Sequence, residues 1–206
     1  MKYDVKTKEI DLTEKFIDKL DKFTLDFIDI FEKYGKYVIV SGYVSILLGR
    51  TRGSEDVDLL IPDMQFSQFD GLFNNLINNS WECANTSNSK EAFSLWGEHA
   101  IRFYKGEPLP NIEFKKITND IQKMAFENRI KVLLKGGELF ISPLELQIAY
   151  KLSLISQGDF EDISSDKDFE DAKHLYEVFH EKLNNKELIY FVKEFKVEDK
   201  FEWLKK

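Results

Sequence analysis

The chain has 206 residues, of which 43% are hydrophobic and 32% are charged, and its formal net charge is −8. This length suits one domain with a buried core, and the apolar content is too high for a disordered chain. The single cysteine, Cys83, excludes an internal disulfide and a cysteine-based zinc cage. No apolar run of about 18 residues could span a bilayer, and the charged N-terminal residues lack a signal-peptide pattern. We therefore expect a cytoplasmic protein without a membrane segment.

Apolar spacing predicts both helices and strands in the first two thirds of the chain. Apolar residues three and four apart predict an amphipathic helix over residues 12–34, with Thr13 as its candidate N-cap. The other elements predicted from this region are strands at 37–40, 57–61, 100–104, 111–117, 130–134 and 138–141, and helices at 43–48 and 66–78. Gly136-Gly137 predicts a hairpin turn between the last two strands.

The last third of the chain has a helical pattern. The run Ser142-Pro143-Leu144-Glu145 has the residue types of a capping box, with proline at the first helical position. We expect a helix from this run to about residue 157, followed by a polar loop over residues 158–166.

Two more helices complete the predicted fold. Ser165 or Asp166 can cap a helix that continues through residue 180, and a last helical segment follows Asn184. The chain is therefore predicted to be α+β (mixed α/β), with a mixed sheet flanked by helices. We expect a domain over residues 1–141, including the N-terminal helix, and a C-terminal helical segment over residues 142–206 that packs on it.

Two aspartates stand at the start of a strand that is predicted to be buried. Asp56 and Asp58 flank Val57, and because side chains alternate along a strand, both carboxylates project on the same side, roughly 7 Å apart. Like charges placed there repel each other and lose solvation, which favours a divalent cation that neutralises them. Mg²⁺ takes such hard oxygen ligands together with water and substrate phosphates. The alternative is a solvated strand edge, because this triplet alone is common in an acidic chain.

A second pattern lies shortly before these carboxylates. Ser41-Gly42 stands where a strand passes into a helix, and free backbone N–H groups at such a turn bind phosphate, which glycine allows to approach closely. Arg50 and Arg52 follow, and each can make bidentate contacts with phosphate. One strand-helix-strand unit is thus predicted to gather a phosphate-binding turn, two arginines and two metal-binding carboxylates.

Together these patterns resemble the motif of the nucleotidyltransferase superfamily, which has the DNA polymerase beta-like fold. The matching segments are residues 38–42, VIVSG, and residues 49–61, GRTRGSEDVDLLI. The spacing is slightly longer than is usual in the superfamily, and Ser41-Gly42 replaces the more common Gly-Gly or Gly-Ser. The resemblance also implies a third carboxylate on a later strand, for which we select Glu113, although the superfamily usually has Asp. The alternative for Glu113 is a surface residue on an edge strand.

The C-terminal third adds a second match in the expected order. Residues 143–152 and 167–172 are similar to a subgroup of minimal nucleotidyltransferases that includes the toxins of abortive-infection toxin–antitoxin systems. This resemblance implies that Lys151 contacts nucleotide phosphates. Asp168 and Asp171 share one face of a helix and could orient Lys151 or the arginines. The alternative for Asp168 is a helix N-terminal charge that complements the helix dipole.

The resemblance implies an enzyme that transfers a nucleoside monophosphate from an NTP to a hydroxyl acceptor. It implies Mg²⁺, with Mn²⁺ as the alternative ion, held by Asp56, Asp58 and Glu113. The implied nucleotide-binding residues are Ser41, Gly42, Arg50, Arg52, Lys151, Asp168 and Asp171. The acceptor stays open between a tRNA, a protein and a small molecule, and an antitoxin or a second copy of the chain is an expected partner. The alternative is a non-catalytic nucleotide-binding or protein-interaction module that keeps the fold.

Overall fold

A mixed β-sheet forms the centre of the computed structural model, which describes residues 1–156, 158 and 160–205. The strands are β1 (Lys2–Asp4), β2 (Glu9–Leu12), β3 (Val38–Val40), β4 (Asp56–Ile61), β5 (Glu82–Cys83), β6 (Ile101–Lys105), β7 (Glu107–Lys116), β8 (Ile130–Leu134) and β9 (Gly137–Ile141). Within the described residues they form one sheet in the order β1-β2-β8-β9-β3-β4-β7-β6-β5. Strand β4 lies between β3, which is antiparallel to it, and β7, which is parallel.

Helices accompany this sheet along the whole chain. They are α1 (Lys19–Phe31), α2 (Gly42–Leu47), α3 (Phe66–Asn78), α4 (Ser89–Leu95), α5 (Asp120–Glu127), α6 (Leu144–Leu154), α7 (Phe160–Ile163), α8 (Lys167–Phe179), α9 (Asn185–Glu194) and α10 (Glu198–Leu204). The predicted fold class, a mixed sheet flanked by helices, is therefore confirmed. No helix in the described part of the chain combines the length and the apolar character needed to cross a membrane.

An aromatic core fixes which face of the central strands points inward. Phe114 of β7 lies at the middle of this core, and its ring centroid is 5.6 Å from that of Phe31 in α1 and 6.0 Å from that of Phe69 in α3. Val57 and Leu59 of β4 are fully buried. Because side chains alternate along a strand, the residues between them project from the opposite face. The packing of the core therefore sets the direction of Asp56 and Asp58.

The predicted N-terminal helix over residues 12–34 is wrong at both ends. Leu12 belongs to β2, which pairs with β8, and the next apolar residue of the pattern, Phe16, is exposed between β2 and α1. Thr13 is not the N-cap. Helix α1 is capped by Asp18, whose carboxylate accepts the N–H of Asp21 at 2.8 Å. Leu12 and Phe16 had matched the helical spacing although neither residue belongs to the helix.

The predicted capping box at the start of α6 is also wrong. Pro143 is the N-cap residue and makes no side-chain cap bond. Ser142 instead donates its hydroxyl to Gln147 Oε1 at 2.9 Å, and Glu145 accepts the N–H of Asn184 at 2.7 Å. Ser142 is therefore used in a local contact five residues along the chain, whereas Glu145 is used in a contact with a distant helix start.

Further differences concern the ends of helices in the last third. Helix α6 ends at residue 154, whereas the prediction extended it to residue 157, which lies outside the described residues. The segment predicted as a loop over residues 158–166 contains the short helix α7. Helix α8 begins as predicted, with Asp166 as its N-cap, and α9 follows Asn184, also as predicted.

Several elements were not predicted, namely β1, β2, β5, α4, α5 and α10. Two of them carry a capping signal in the sequence. Asn88 caps α4 by accepting the N–H of Glu91 at 3.0 Å, and Asn119 caps α5 by accepting the N–H of Gln122 at 2.9 Å. In both cases an Asn is followed three residues later by Glu or Gln, which is typical of a helix start. The hairpin between β8 and β9 is confirmed, but its turn lies at Lys135 and Gly136, one residue before the predicted Gly136-Gly137, because Gly137 pairs with Leu134.

Candidate functional site

The three predicted carboxylates lie on one face of two neighbouring strands. Asp56 and Asp58 are on β4 and Glu113 is on β7, and the parallel register pairs Asp58 with Glu113 and Asp56 with Asn111. Asn111 donates its amide to Asp56 Oδ1 at 2.7 Å, and its own Oδ1 is buried without a hydrogen-bond partner among the described residues. The fold therefore brings the candidate ligands together from positions that are 55 residues apart in the chain.

Two basic side chains share this face and were missed by the sequence analysis. Lys115 Nζ lies 2.5 Å from Asp58 Oδ1 and 2.6 Å from Glu113 Oε2, so it bridges the two carboxylates. Arg102 of β6 donates Nε to Glu113 Oε1 at 2.8 Å and Nη2 to the same oxygen at 2.6 Å. The alternation of β7 could have identified Lys115, because it lies two residues after Glu113.

The charges in this cluster shift one another's pKa values. Burial raises the pKa of Asp58 above its ordinary value, against the opposing effect of the Lys115 ammonium. Burial also acts to raise the pKa of Glu113, but hydrogen bonds from Lys115 and Arg102 outweigh it and hold that pKa below its ordinary value. The difference arises because Glu113 has a second cation, Arg102, whereas Asp58 shares Lys115. Burial acts to lower the pKa of Lys115, but the two carboxylates raise it, so the lysine remains charged.

The turn between β3 and α2 lies next to the carboxylates because Val40, the residue before it, pairs with Asp58. Ser41 adopts φ 66° and ψ −141°, a backbone conformation that only glycine adopts readily. Gln147 of α6 holds this residue from both sides. Its Oε1 accepts the N–H of Ser41 at 3.2 Å, and its Nε2 donates to the carbonyl of Ser41 at 2.6 Å. The role of Gln147 was also missed, although it lies one helical turn before Lys151.

Arg52 packs directly on Gly42. A Cβ atom added to Gly42 would lie 2.5 Å from Arg52 Nη2, so a larger residue would displace the guanidinium. Asp171 of α8 holds Arg52 there through two parallel bonds, 2.9 Å from Nε to Oδ1 and 2.8 Å from Nη2 to Oδ2. This bidentate geometry is the strongest form of an arginine–carboxylate contact. Arg52 is therefore fixed beside the turn that leads into α2.

The remaining predicted residues form a buried ion-pair cluster around Asp171. Lys151 Nζ lies 2.9 Å from Asp171 Oδ2 and 2.6 Å from Asp168 Oδ1, and its side chain is only 2% exposed. Arg50 pairs with the exposed Glu170 and lies 3.8 Å from Asp171. The aspartates thus contact Lys151 and Arg52, whereas a contact between Lys151 and a phosphate would require the lysine to leave one of them.

A cavity of about 450 Å³ opens beside the carboxylate face. Asp58, Lys115 and Ser41 lie on its polar side. Its other lining residues are Val40, Leu60, Asn119, Asp120, Ile121, Gln122, Ala125, Leu146, Gln147, Tyr150 and Phe195. The rings of Tyr150 and Phe195 lie 6.0 Å apart. A mostly apolar wall with a few polar groups at one end is typical of a site for a small organic group.

The donor atoms of the carboxylate face suit a divalent cation. Asp56, Asp58 and Glu113 supply hard oxygen ligands of the kind that Mg²⁺ prefers, and the Lys115 ammonium occupies a cation position between two of them. In the described residues, no three acidic, histidine or cysteine side chains are grouped as a ready metal site. Binding an ion through all three carboxylates would therefore require a local rearrangement around Lys115.

Comparisons with known proteins bear on the fold. No protein-family model matches the chain, and no curated protein matches it. Among solved structures, the chain is similar to an antigenic nucleotidyltransferase-like protein from Paracoccidioides brasiliensis, with 17% identity over 89% of this chain and 90% of that chain and a TM-score of 0.55. This likeness shows that the chain has a nucleotidyltransferase-like fold, as the sequence predicts.

The strained backbone of Ser41 leads to the first testable prediction. The substitution Ser41→Gly should raise the free energy of unfolding by about 1 kcal/mol, because glycine adopts this backbone conformation without steric cost. The same change at Ser153, in the last turn of α6, should not raise stability, because a helical residue is not strained and glycine there has more conformational freedom to lose on folding. Urea unfolding of both variants measures the two effects. A loss of stability in Ser41→Gly would contradict the inferred strain.

The buried Asp171 leads to the second prediction. Asp171→Asn should lower the free energy of unfolding at pH 7 by about 3 kcal/mol, because it leaves Lys151 and Arg52 without their buried counter-ion. The adjacent Glu170→Gln removes only a more exposed ion pair and should cost less than about 1 kcal/mol. Equal losses in the two variants, measured by urea unfolding, would contradict this assignment.

Comparing the wild type with Asp171→Asn also tests how the stabilisation by Asp171 depends on pH. Burial acts to raise the pKa of Asp171, but the bonds from Arg52 and Lys151 outweigh this effect and hold that pKa below its ordinary value of 3.8. The stabilisation is therefore fully present above pH 3.8 and is lost as the pH falls through the lower folded-state value. The stability difference between the wild type and Asp171→Asn should shrink below pH 3.8 and stay constant above it.

Proposed function

We propose that the protein is a metal-dependent nucleotidyltransferase, which moves a nucleoside monophosphate from an NTP to a hydroxyl group and releases pyrophosphate. The observation that carries this proposal is the register of three strands. It places Asp58 opposite Val40, directly before the Ser41-Gly42 turn, and opposite Glu113 on its other side. The carboxylates assigned to a cation and the turn assigned to phosphate thus lie at one position, which suits phosphoryl transfer by positioning and charge neutralisation.

In this proposal the carboxylates hold the cation. Asp56 and Asp58 would be its main ligands, and Glu113 would join them. Mg²⁺, or Mn²⁺ in its place, would lower the pKa of an acceptor hydroxyl and neutralise the charge on the triphosphate. The carboxylates fix the position of the reacting groups, and the arginine beside the turn adds positive charge for the phosphates.

The ion-pair cluster has a defined place in this proposal. Asp171 orients Arg52 against Gly42, where its guanidinium is next to the backbone of the turn. Asp168 and Lys151 complete the cluster that holds Asp171. Arg50 reaches the same aspartate from the segment between α2 and β4. We therefore assign these residues to the nucleotide-binding side of the site, where Lys151 would have to leave Asp168 or Asp171 to reach a phosphate.

The cavity beside the carboxylates accommodates a substrate group of limited size. At about 450 Å³ it suits a nucleoside or the end of an acceptor, and its aromatic residues offer a surface for stacking a base. The acceptor in the proposal is a tRNA end, a protein hydroxyl or a small molecule. The resemblance to toxins extends the proposal to a toxin-like role with an antitoxin or a second copy of the chain as partner, and growth arrest on expression would test that role.

A transfer assay tests the proposed activity. The protein is incubated with each NTP labelled at the α-phosphate, in Mg²⁺ or Mn²⁺, with total tRNA, an extract of cellular proteins, or an aminoglycoside as the acceptor. We expect the label to appear on one acceptor class, together with released pyrophosphate. Asp58→Asn should lower the rate at least about a hundredfold, because it removes a charge from the cation site. The control Asp63→Asn changes an exposed aspartate just after β4 and should be as active as the wild type.

The non-catalytic module is the second candidate. It is favoured by the charge balance of the site, because Lys115 and Arg102 already neutralise Asp58 and Glu113. Such a module would bind nucleotides without transferring label. A thermal shift with NTP and Mg²⁺ that is present in the wild type and absent in Asp58→Asn, with no transfer to any acceptor, would favour this candidate over the enzyme.

A further inference from the structure

Lys115 lies in the middle of the carboxylate face. It follows Glu113 by two residues on β7, so both side chains project from the same side of the strand. In the register, Lys115 is opposite Leu60 whereas Glu113 is opposite Asp58. The lysine side chain therefore turns back along the strand to place Nζ 2.5 Å from Asp58 and 2.6 Å from Glu113. Its ammonium connects the two strands through their carboxylates.

This bridge offsets a repulsion that the register creates. Neighbouring strands lie about 4.8 Å apart, so the paired Asp58 and Glu113 place two like charges close together. The side chains are only 14% and 12% exposed, which limits screening by water and salt. Arg102 also binds Glu113, but among the described residues Lys115 is the cation that contacts Asp58. The lysine is thus the counter-ion shared by both carboxylates.

A divalent cation between these carboxylates meets oxygens that are already bonded, because Lys115 contacts Asp58 Oδ1 and Glu113 Oε2 and Arg102 contacts Glu113 Oε1. Mg²⁺ binds oxygens at about 2.0–2.1 Å in octahedral geometry, which leaves no room for an ammonium between the same two groups. The cation and the Lys115 ammonium would also repel each other strongly there, because the site is poorly screened by water. An ion held jointly by Asp58 and Glu113 therefore excludes the ammonium from its position.

The structure offers a place for the displaced ammonium. Lys115 is 38% exposed and lines the cavity of about 450 Å³. The cavity wall contains Asp120, whose carboxylate can accept hydrogen bonds from an ammonium, whereas the side-chain oxygens of Asn119 and Gln122 already accept bonds at the start of α5. A lysine that turns into this cavity adds a positive charge next to Ser41, at the turn proposed to receive phosphate.

We propose that Lys115 is a built-in counter-ion that a divalent cation displaces from Asp58 and Glu113, so that its ammonium then faces an anionic substrate group in the cavity. The inference rests on the proposed function for the presence of a cation at this site. Its two consequences are that the lysine weakens cation binding and that it strengthens nucleotide binding once the cation is present. The Lys115 side chain thus couples the binding of the cation to the binding of the nucleotide.

The test compares three full-length proteins: the wild type, Lys115→Met and the control Lys116→Met. Lys116 is the next residue, on the opposite side of the strand, where it pairs with the exposed Asp63. Electron paramagnetic resonance of free Mn²⁺ gives the affinity for the ion. We expect Lys115→Met to bind Mn²⁺ at least about tenfold more tightly than the wild type, because a competing charge is gone. Lys116→Met should bind it as the wild type does.

Thermal unfolding gives a second readout that does not depend on activity. In EDTA, Lys115→Met should unfold at a lower temperature than the wild type, because its two carboxylates lack their counter-ion. Added Mn²⁺ should raise the unfolding temperature more in Lys115→Met than in the wild type. If Lys115→Met does not fold, Lys115→Gln keeps a neutral hydrogen-bond donor and is expected to change Mn²⁺ affinity in the same direction.

The outcomes separate this inference from the proposed function. Equal Mn²⁺ affinity in the wild type and both Lys115 variants would overturn the displacement and leave the cation site intact. An absence of Mn²⁺ binding in every protein would instead overturn the cation site itself. At saturating Mn²⁺, a non-hydrolysable ATP analogue should bind Lys115→Met about tenfold more weakly than the wild type. Unchanged affinity for the analogue would overturn the role of the lysine in the cavity.

Discussion

The buried carboxylate of Asp171 is the constraint on which the arrangement of the site depends. It binds Arg52 through two parallel hydrogen bonds and also contacts Lys151, so it connects α8 to α6 and to the segment before β4. Arg52 is thereby held against Gly42, where a side chain at that position would not fit. The C-terminal helices and the central sheet therefore meet at the candidate site. The packing of these helices on the sheet thus contributes to the geometry of the site.

Strand β4 serves the core and the site at the same time. Val57 and Leu59 are buried on one face, and this packing directs Asp56 and Asp58 to the other face. The same register places the strained Ser41 next to these carboxylates, where Gln147 compensates the unusual backbone with two hydrogen bonds. The strain is located at the proposed phosphate turn, which is consistent with the tendency of such conformations to occur at functional positions.

Local patterns in the sequence predicted part of this site and long-range contacts determined the rest. The shared face of Asp56 and Asp58 follows from the two-residue period of a strand. The role of Lys115 could have been inferred from the same period, but its contact with Asp58 requires the parallel pairing of β4 with β7. Gln147 gave no such signal, since its partner Ser41 is 106 residues away. The N-terminal strand β2 was not predicted, and its last residue, Leu12, was assigned to the helix, because the pairing of β2 with β8 is also remote in sequence.

The most direct measurement is a crystal structure of the protein with Mn²⁺ and a non-hydrolysable NTP analogue, in which anomalous scattering locates the ion. We predict an anomalous peak within direct coordination distance, roughly 2.0–2.6 Å, of carboxylate oxygens from Asp56 and Asp58, with the triphosphate next to Ser41 and Arg52. An analogue bound elsewhere, with no ion between these aspartates, would contradict the assignment of this face as a nucleotidyl transfer site.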